Sequence, residues 1–211
     1  MAEFQLHGFG ESGNAYKVAL MLALCGADWE LVPVGFFQGA TRNPEWRAAH
    51  NIQGEVPILE HRGEVMTQSA VILDYLAETL GQFGGQDARE RREIWRWMLF
   101  DNHKFTSYYA TLRFLFGIQK VGETPVVEFL RARARAARQV LNQHLANRDF
   151  VLGQRLSIAD LSLAGYAFYE EATGIDDEAE FPAIAAWKAR IRALPGWQGP
   201  YALMPAELPK G

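Results

Sequence analysis

The chain has 211 residues, 49% of them hydrophobic and 22% charged, with a formal charge of -4. That is an ordinary globular balance with room for one large or two small cores, and it excludes a disordered chain and a general nucleic-acid binder. A single cysteine excludes an intramolecular disulfide and any Cys-x-x-Cys centre. No apolar run nears the ~20 residues of a membrane span, and the first residues lack a secretory pattern, so the expected setting is the cytoplasm without membrane contact.

Residues 4–9 read as a strand, ended by the Gly10-Glu11-Ser12-Gly13 loop. A helix follows, with Ala15, Val18, Ala19, Leu22 and Cys25 on one buried face and Gly26 as its stop. Residues 29–34 read as a second strand, with Phe36-Phe37 in the loop beyond it. After the Asn51-Ile52-Gln53-Gly54 turn, residues 58–60 and 64–66 flank Arg62-Gly63 as an antiparallel hairpin, and 70–80 close this part as a helix. Strand–helix–strand followed by hairpin–helix, with a right-handed crossover, predicts a small mixed sheet covered by helices, a thioredoxin-like layout.

Residues 81–88, rich in glycine, read as a linker between a domain at 1–80 and a second at 89–211. The second is helical in period near 87–116, 124–146, 157–173 and 182–194. Ser157-Ile158-Ala159-Asp160 is a helix cap rather than a catalytic dyad. Arg131, Arg133, Arg135 and Arg138, interleaved with alanines, read as the solvated face of a long helix. The tail after Trp197 reads as irregular. The fold class is therefore an α/β thioredoxin-like N-terminal domain followed by an all-α helical C-terminal domain.

Two short segments suggest binding. Val56-Pro57 opens a strand with a proline, leaving backbone free to pair with an extended peptide. Gln68-Ser69 stands at a helix start, where unpaired N–H groups and the helix dipole suit a carboxylate. These segments, with Ser12-Gly13-Asn14-Ala15-Tyr16-Lys17-Val18 and Gly153-Gln154-Arg155-Leu156-Ser157-Ile158-Ala159-Asp160, together resemble the cytosolic glutathione transferases over essentially the whole chain. His103-Lys104 resembles the pair on the first helix of the second domain in bacterial beta-type members. The resemblance implies glutathione as co-substrate, no metal, an apolar electrophile on the helical domain and a homodimer.

Position by position, it implies that Val56 pairs its backbone with the cysteinyl unit, which requires a cis Pro57. Gln68 and Ser69 hold the γ-glutamyl carboxylate, and His103 and Lys104 face the thiol. Asp101 is a candidate to reach a ligand amino group across a dimer interface. Lowering a thiol pKa from about 8.5 by ~2 units takes ~2.7 kcal/mol in favour of the anion. One charge-assisted hydrogen bond of ~1.5–3 kcal/mol with a helix N-terminus is enough. Ser12 is the expected donor, with Asn14 sharing or taking the role, although serine before a helix is also an ordinary cap.

Beta-type relatives carry cysteine at the Ser12 position, so their mixed-disulfide chemistry does not transfer. Glu55 places an anion beside the glycyl end of the expected ligand, where it weakens binding by repelling a carboxylate if it points at the ligand and does nothing if it points to solvent. Tyr108, Tyr109, Phe114 and Phe116 are candidates to wall the electrophile site. A glutathione-dependent disulfide or peroxide reductase and a non-catalytic binding module that keeps the fold are the competing readings.

Overall fold

The computed structural model describes residues 2–208. It divides into two compact units: the chain up to Gln82 together with the segment from Leu194 on, and Phe83–Ala193.

In the first unit, β1 (Phe4–Gly8) leads through the Ser12 loop into α1 (Gly13–Leu24), then β2 (Trp29–Pro33). A short helix, α2 (Pro44–Ala49), precedes the hairpin of β3 (Ile58–His61) and β4 (Glu64–Thr67), and α3 (Ser69–Leu80) follows. The sheet order is β2-β1-β3-β4, with β1 parallel to β2 and the other pairs antiparallel. Leu6 pairs with Leu31 and Leu59, and Ile58 lies opposite both His7 and Thr67. Phe4, Leu6 and Leu59 of the sheet are buried, as are Val18 and Leu22 of α1 and Ile72 and Leu76 of α3. The sequence reading missed α2, whose start is set by Asn43: its side chain accepts the Glu45 and Trp46 N–H groups, with proline in the first turn.

The second unit is helical: α4 (Ala88–Phe100), α5 (Thr106–Leu112), α6 (Pro125–Leu145), α7 (Ile158–Ala164), α8 (Asp177–Glu180) and α9 (Pro182–Arg192). The expected continuous helix over 87–116 is interrupted twice by π-helical turns, Asp101–Phe105 and Arg113–Ile118. The expected helix over 157–173 stops at Ala164 and continues as turns.

Asp160 caps α7 as read from sequence, and it does more. Its buried carboxylate accepts from Ser157 N and Oγ, from Val151 N and from Trp187 Nε1, tying three segments together.

The arginine run departs from its expected solvated face. Arg131 pairs with Glu123, and Arg135 with Glu180. Arg138 is 1% exposed, bonds Asp177 through Nε at 2.7 Å and lies 3.8 Å from the centre of the Tyr109 ring. The alanine spacing turns that one position inward against the α8 start. Cys25 is half-buried at the end of α1 rather than sealed in the core, and burial still pushes its thiol up to about 11, which leaves it unreactive.

The tail departs furthest from expectation. It carries a helical turn, α10 (Pro200–Leu203), and belongs with the first unit rather than the helical one. Met204 is fully buried, and the Tyr16 hydroxyl donates to Gln198 O at 2.8 Å. The stretch read as a linker is divided as well: Phe83 O accepts Ile158 N, and Gly84 O accepts from Arg155, so its second half is held by the helical unit.

Candidate glutathione site

Strand register gathers the predicted residues of the first unit. Gly8 ends β1, Ile58 begins β3 opposite His7, and Thr67 ends β4 opposite Ile58. The segments that continue from these points, Phe9 to Ser12, Val56-Pro57 and Gln68-Ser69, therefore emerge at the same end of the sheet. The Val56-Pro57 bond is cis, the isomer that the resemblance calls for.

Ser12 is buried and caps α1, its Oγ accepting the Ala15 N–H at 3.2 Å. Capping uses one lone pair of the hydroxyl oxygen and leaves its proton to donate elsewhere. The ordinary role and the catalytic one are therefore compatible in the same atom. Asn14, in the first turn of α1, has its Oδ1 buried with no hydrogen-bond partner among the described residues. Rotation of the amide exchanges oxygen for nitrogen, so this end of Asn14 can present a donor beside Ser12.

At α3 the backbone of Gln68 has φ 68°, and its side chain makes no capping bond to the helix. Its Nε2 instead donates to Gln53 Oε1 and to Glu55 Oε2, each at 2.8 Å. The helix start thus lacks a side-chain cap, and Ser69 is buried against it. The Glu55 carboxylate, exposed to solvent, is aimed at this helix start through Gln68. Asn51 fixes the approach by donating to Glu55 O at 2.9 Å.

In the helical unit, His103 and Lys104 are exposed within the first π turn. Such turns recur at functional positions because one widened turn re-aims the side chains it carries. Asp101 is corrected: it is fully buried, with Oδ1 accepting from Thr106 Oγ1 and Oδ2 from Ser162 Oγ, both at 2.6 Å. Its carboxylate holds the π turn in shape and is not free to reach a ligand.

Of the aromatic candidates, Tyr109 is also corrected, being core together with Leu112, Val127, Leu130 and Ala134. Tyr108 and Phe116 are half-buried at the edge of that cluster, as are Leu115 and Tyr166, which the sequence reading did not single out. Phe114 is half-buried on the second π turn.

Sequence reasoning also missed Glu11 and Glu207. The Glu11 carboxylate accepts the Glu207 and Leu208 N–H groups, and the Glu207 carboxylate accepts those of Phe36 and Phe37. No local signal marks either, because each partner lies more than 160 residues away.

Residues 2–78 match the glutathione S-transferase N-terminal domain model and residues 106–195 match the C-terminal domain model. The maleylacetoacetate isomerase of Rhizobium meliloti (strain 1021) is 31% identical over 204 residues, covering 93% of this chain and 94% of that protein. The crystal structure of a glutathione S-transferase from Pseudomonas fluorescens superposes with a TM-score of 0.88 at 29% identity, over 94% of this chain and 99% of that one. A glutathione transferase from Burkholderia graminis, solved with two glutathione molecules per subunit, gives 0.80 at 26%, over 92% and 85%. The chain belongs to the cytosolic glutathione S-transferase superfamily.

Proposed function

We propose that this protein binds glutathione at the sheet end described above and activates its thiol for attack on a small apolar electrophile. The observation that carries this reading is the Ser12 hydroxyl, buried at the first turn of α1 with its proton free to donate. A thiolate there gains a charge-assisted hydrogen bond and the helix dipole, with the buried end of Asn14 as a second donor. Val56 offers the backbone edge, and Ser69 with the N–H groups of α3 offers the carboxylate site.

Glu55 sharpens the ligand chemistry. A carboxylate beside an uncapped helix start places negative and positive ends next to each other. That pairing suits an α-amino acid head, its ammonium towards Glu55 and its carboxylate towards α3, and the γ-glutamyl end of glutathione has both groups. On the helical unit, Tyr108, Phe116 and Tyr166 offer apolar surface suited to an electrophile, and His103 and Lys104 are exposed polar groups. The active form is a homodimer.

Calorimetric titration with glutathione, followed by thiolate absorbance of the complex, tests the reading. Ser12→Ala should raise the bound thiol's pKa by about 1–2 units while affinity changes little. An unchanged pKa would move the donor to Asn14. No binding at millimolar glutathione would leave a non-catalytic module. Because a relative carries a maleylacetoacetate isomerase name, turnover on an aryl halide is compared with isomerisation of maleylacetoacetate and with reduction of a small disulfide.

A further inference from the structure

The segment after α10 crosses the same end of the sheet at which Ser12 stands. Glu207 and Leu208 donate their N–H groups to the two oxygens of Glu11, at 3.1 and 2.9 Å. Glu207 in turn accepts from Phe36 and Phe37 N–H, at 3.1 and 2.9 Å. One carboxylate thus comes from the β1–α1 loop to the tail, and the other from the tail to the loop after β2.

The contact is close at a third point. A Cβ on Gly10 would lie 2.4 Å from Pro205 O and 2.8 Å from Ala206 Cα, so only glycine lets the tail backbone through. Aromatic stacking links the two loops, with Phe9 4.5 Å from Phe36 and 5.8 Å from Phe37. Ser12 is tied into this frame directly, since its N–H donates to Phe9 O at 3.0 Å and its neighbour Glu11 is only 5% exposed.

We propose that residues 205–208 form a strap, its Glu207 and Leu208 N–H groups held by the Glu11 carboxylate and its Glu207 carboxylate anchored on Phe36 and Phe37 N–H, and that Glu207 is thereby a positioning residue for the thiol-activating hydroxyl of Ser12. The strap fixes the loop at Gly10 and Glu11 from the C-terminal side, while the α1 helix fixes Ser12 from the other. Charge-assisted bonds to backbone N–H groups are directional, so the strap sets loop orientation rather than adding only buried area. This inference rests on Ser12 being the thiolate donor, and its test separates the two.

Three proteins are compared with the unvaried chain: Glu207→Ala, Glu207→Gln and a chain ending after Met204. Amide hydrogen exchange is read at residues 10–12 and 36–37, together with the pKa of bound glutathione and its dissociation constant. The shortened chain should exchange about tenfold faster at all these residues; Glu207→Ala, which keeps the N–H that Glu11 accepts, should do so first at 36–37, where its carboxylate is the acceptor, and then at 10–12 as the unanchored strap loosens. Their bound thiol should rise by about one pKa unit, with affinity held within about threefold. Glu207→Gln, which keeps an acceptor, should recover part of both effects.

A lower melting temperature with unchanged thiol pKa would make the tail merely structural and overturn the proposal. If the shortened chain does not fold, the Glu207 pair decides alone. If the unvaried protein does not lower the thiol pKa, the Ser12 assignment fails, and positioning with it. Exchange at residues 10–12 then still shows whether the strap holds the loop.

Discussion

In the first unit, Ser12, Val56-Pro57 and Gln68-Ser69 all stand where an element starts or stops, at one end of one sheet. In the helical unit, His103 and Lys104 stand inside a helical run, at a turn widened to π geometry. The first arrangement uses backbone that secondary structure leaves unpaired: a helix N-terminus and a strand edge. The second rests on exposed side chains of a turn whose first residue, Asp101, is buried and accepts from Thr106 and from Ser162, 61 residues away. Local chemistry writes the first kind of site into the sequence; tertiary packing writes the second.

The largest expected effect falls on the helical unit. Asp160→Ala strands four donors inside the protein: two from Ser157, one from Val151 and one from Trp187. Unsatisfied buried donors cost about 1–3 kcal/mol each when they cannot relax, so a loss of about 4 kcal/mol is expected. Urea unfolding checks it. Molecules that remain folded should keep the parent thiol pKa for bound glutathione, because Asp160 and its partners all lie within the helical unit.

Asp101→Ala should cost less, about 2 kcal/mol, because the Thr106 and Ser162 hydroxyls can reorient. Its functional signature separates the two sites more sharply. Loss of the π turn should lower turnover while glutathione affinity and thiol pKa stay at parent values. A changed thiol pKa would show that the helical unit also tunes the sulfur.

How much of this was legible follows the same division. Pro57 before a strand, Ser12 before a helix and the Ser157–Asp160 cap are short patterns with one physical meaning each, and the structure places all three as local elements. The π turns were not legible, because the apolar period of residues 87–116 is the same for a straight helix. Asp101 looked available two residues before His103, and only the packed structure, with Ser162 bonded to it, shows that it is buried. Arg138 was read with its exposed neighbours because charge runs are usually solvated, yet Asp177 and Tyr109 enclose it. Glu11 and Glu207 were invisible for the same reason: their meaning lies in partners far along the chain.

Acid should loosen the helical unit at a mild pH. His144 donates from Nε2 to Val151 O at 2.8 Å and packs on Trp97, and burial holds its pKa below the usual 6.5. Burial also lowers His7 in the first unit. For both, the unfolded chain takes up a proton near pH 6.5 while the folded protein does not. Their contribution is complete above 6.5 and falls as pH drops from there towards the folded values. The urea midpoint should therefore decline from pH 7.5 to 5.5, above the range in which the surface glutamates titrate. His144→Gln should make that decline shallower. An equal slope in the variant would assign the dependence to His7 or elsewhere.

The smallest effect bears on the first unit's ligand end. Glu55 bonds Gln68 at the α3 start, and its charge can act in two opposite ways. Facing a ligand carboxylate it repels, and Glu55→Gln would tighten glutathione. Facing a ligand ammonium it attracts, and the same change would weaken glutathione by about two- to fivefold, the ~0.4–1 kcal/mol of an exposed ion pair. The zwitterionic reading expects weakening that fades with added salt. It also expects no weakening for a glutathione analogue lacking the amino group. Tightening for both ligands would make Glu55 an obstacle at the site. Weakening for both would make it a support for Gln68 alone, because a carboxylate holds the Gln68 amide more strongly than the neutral amide oxygen of Gln does, whatever amino group the ligand carries.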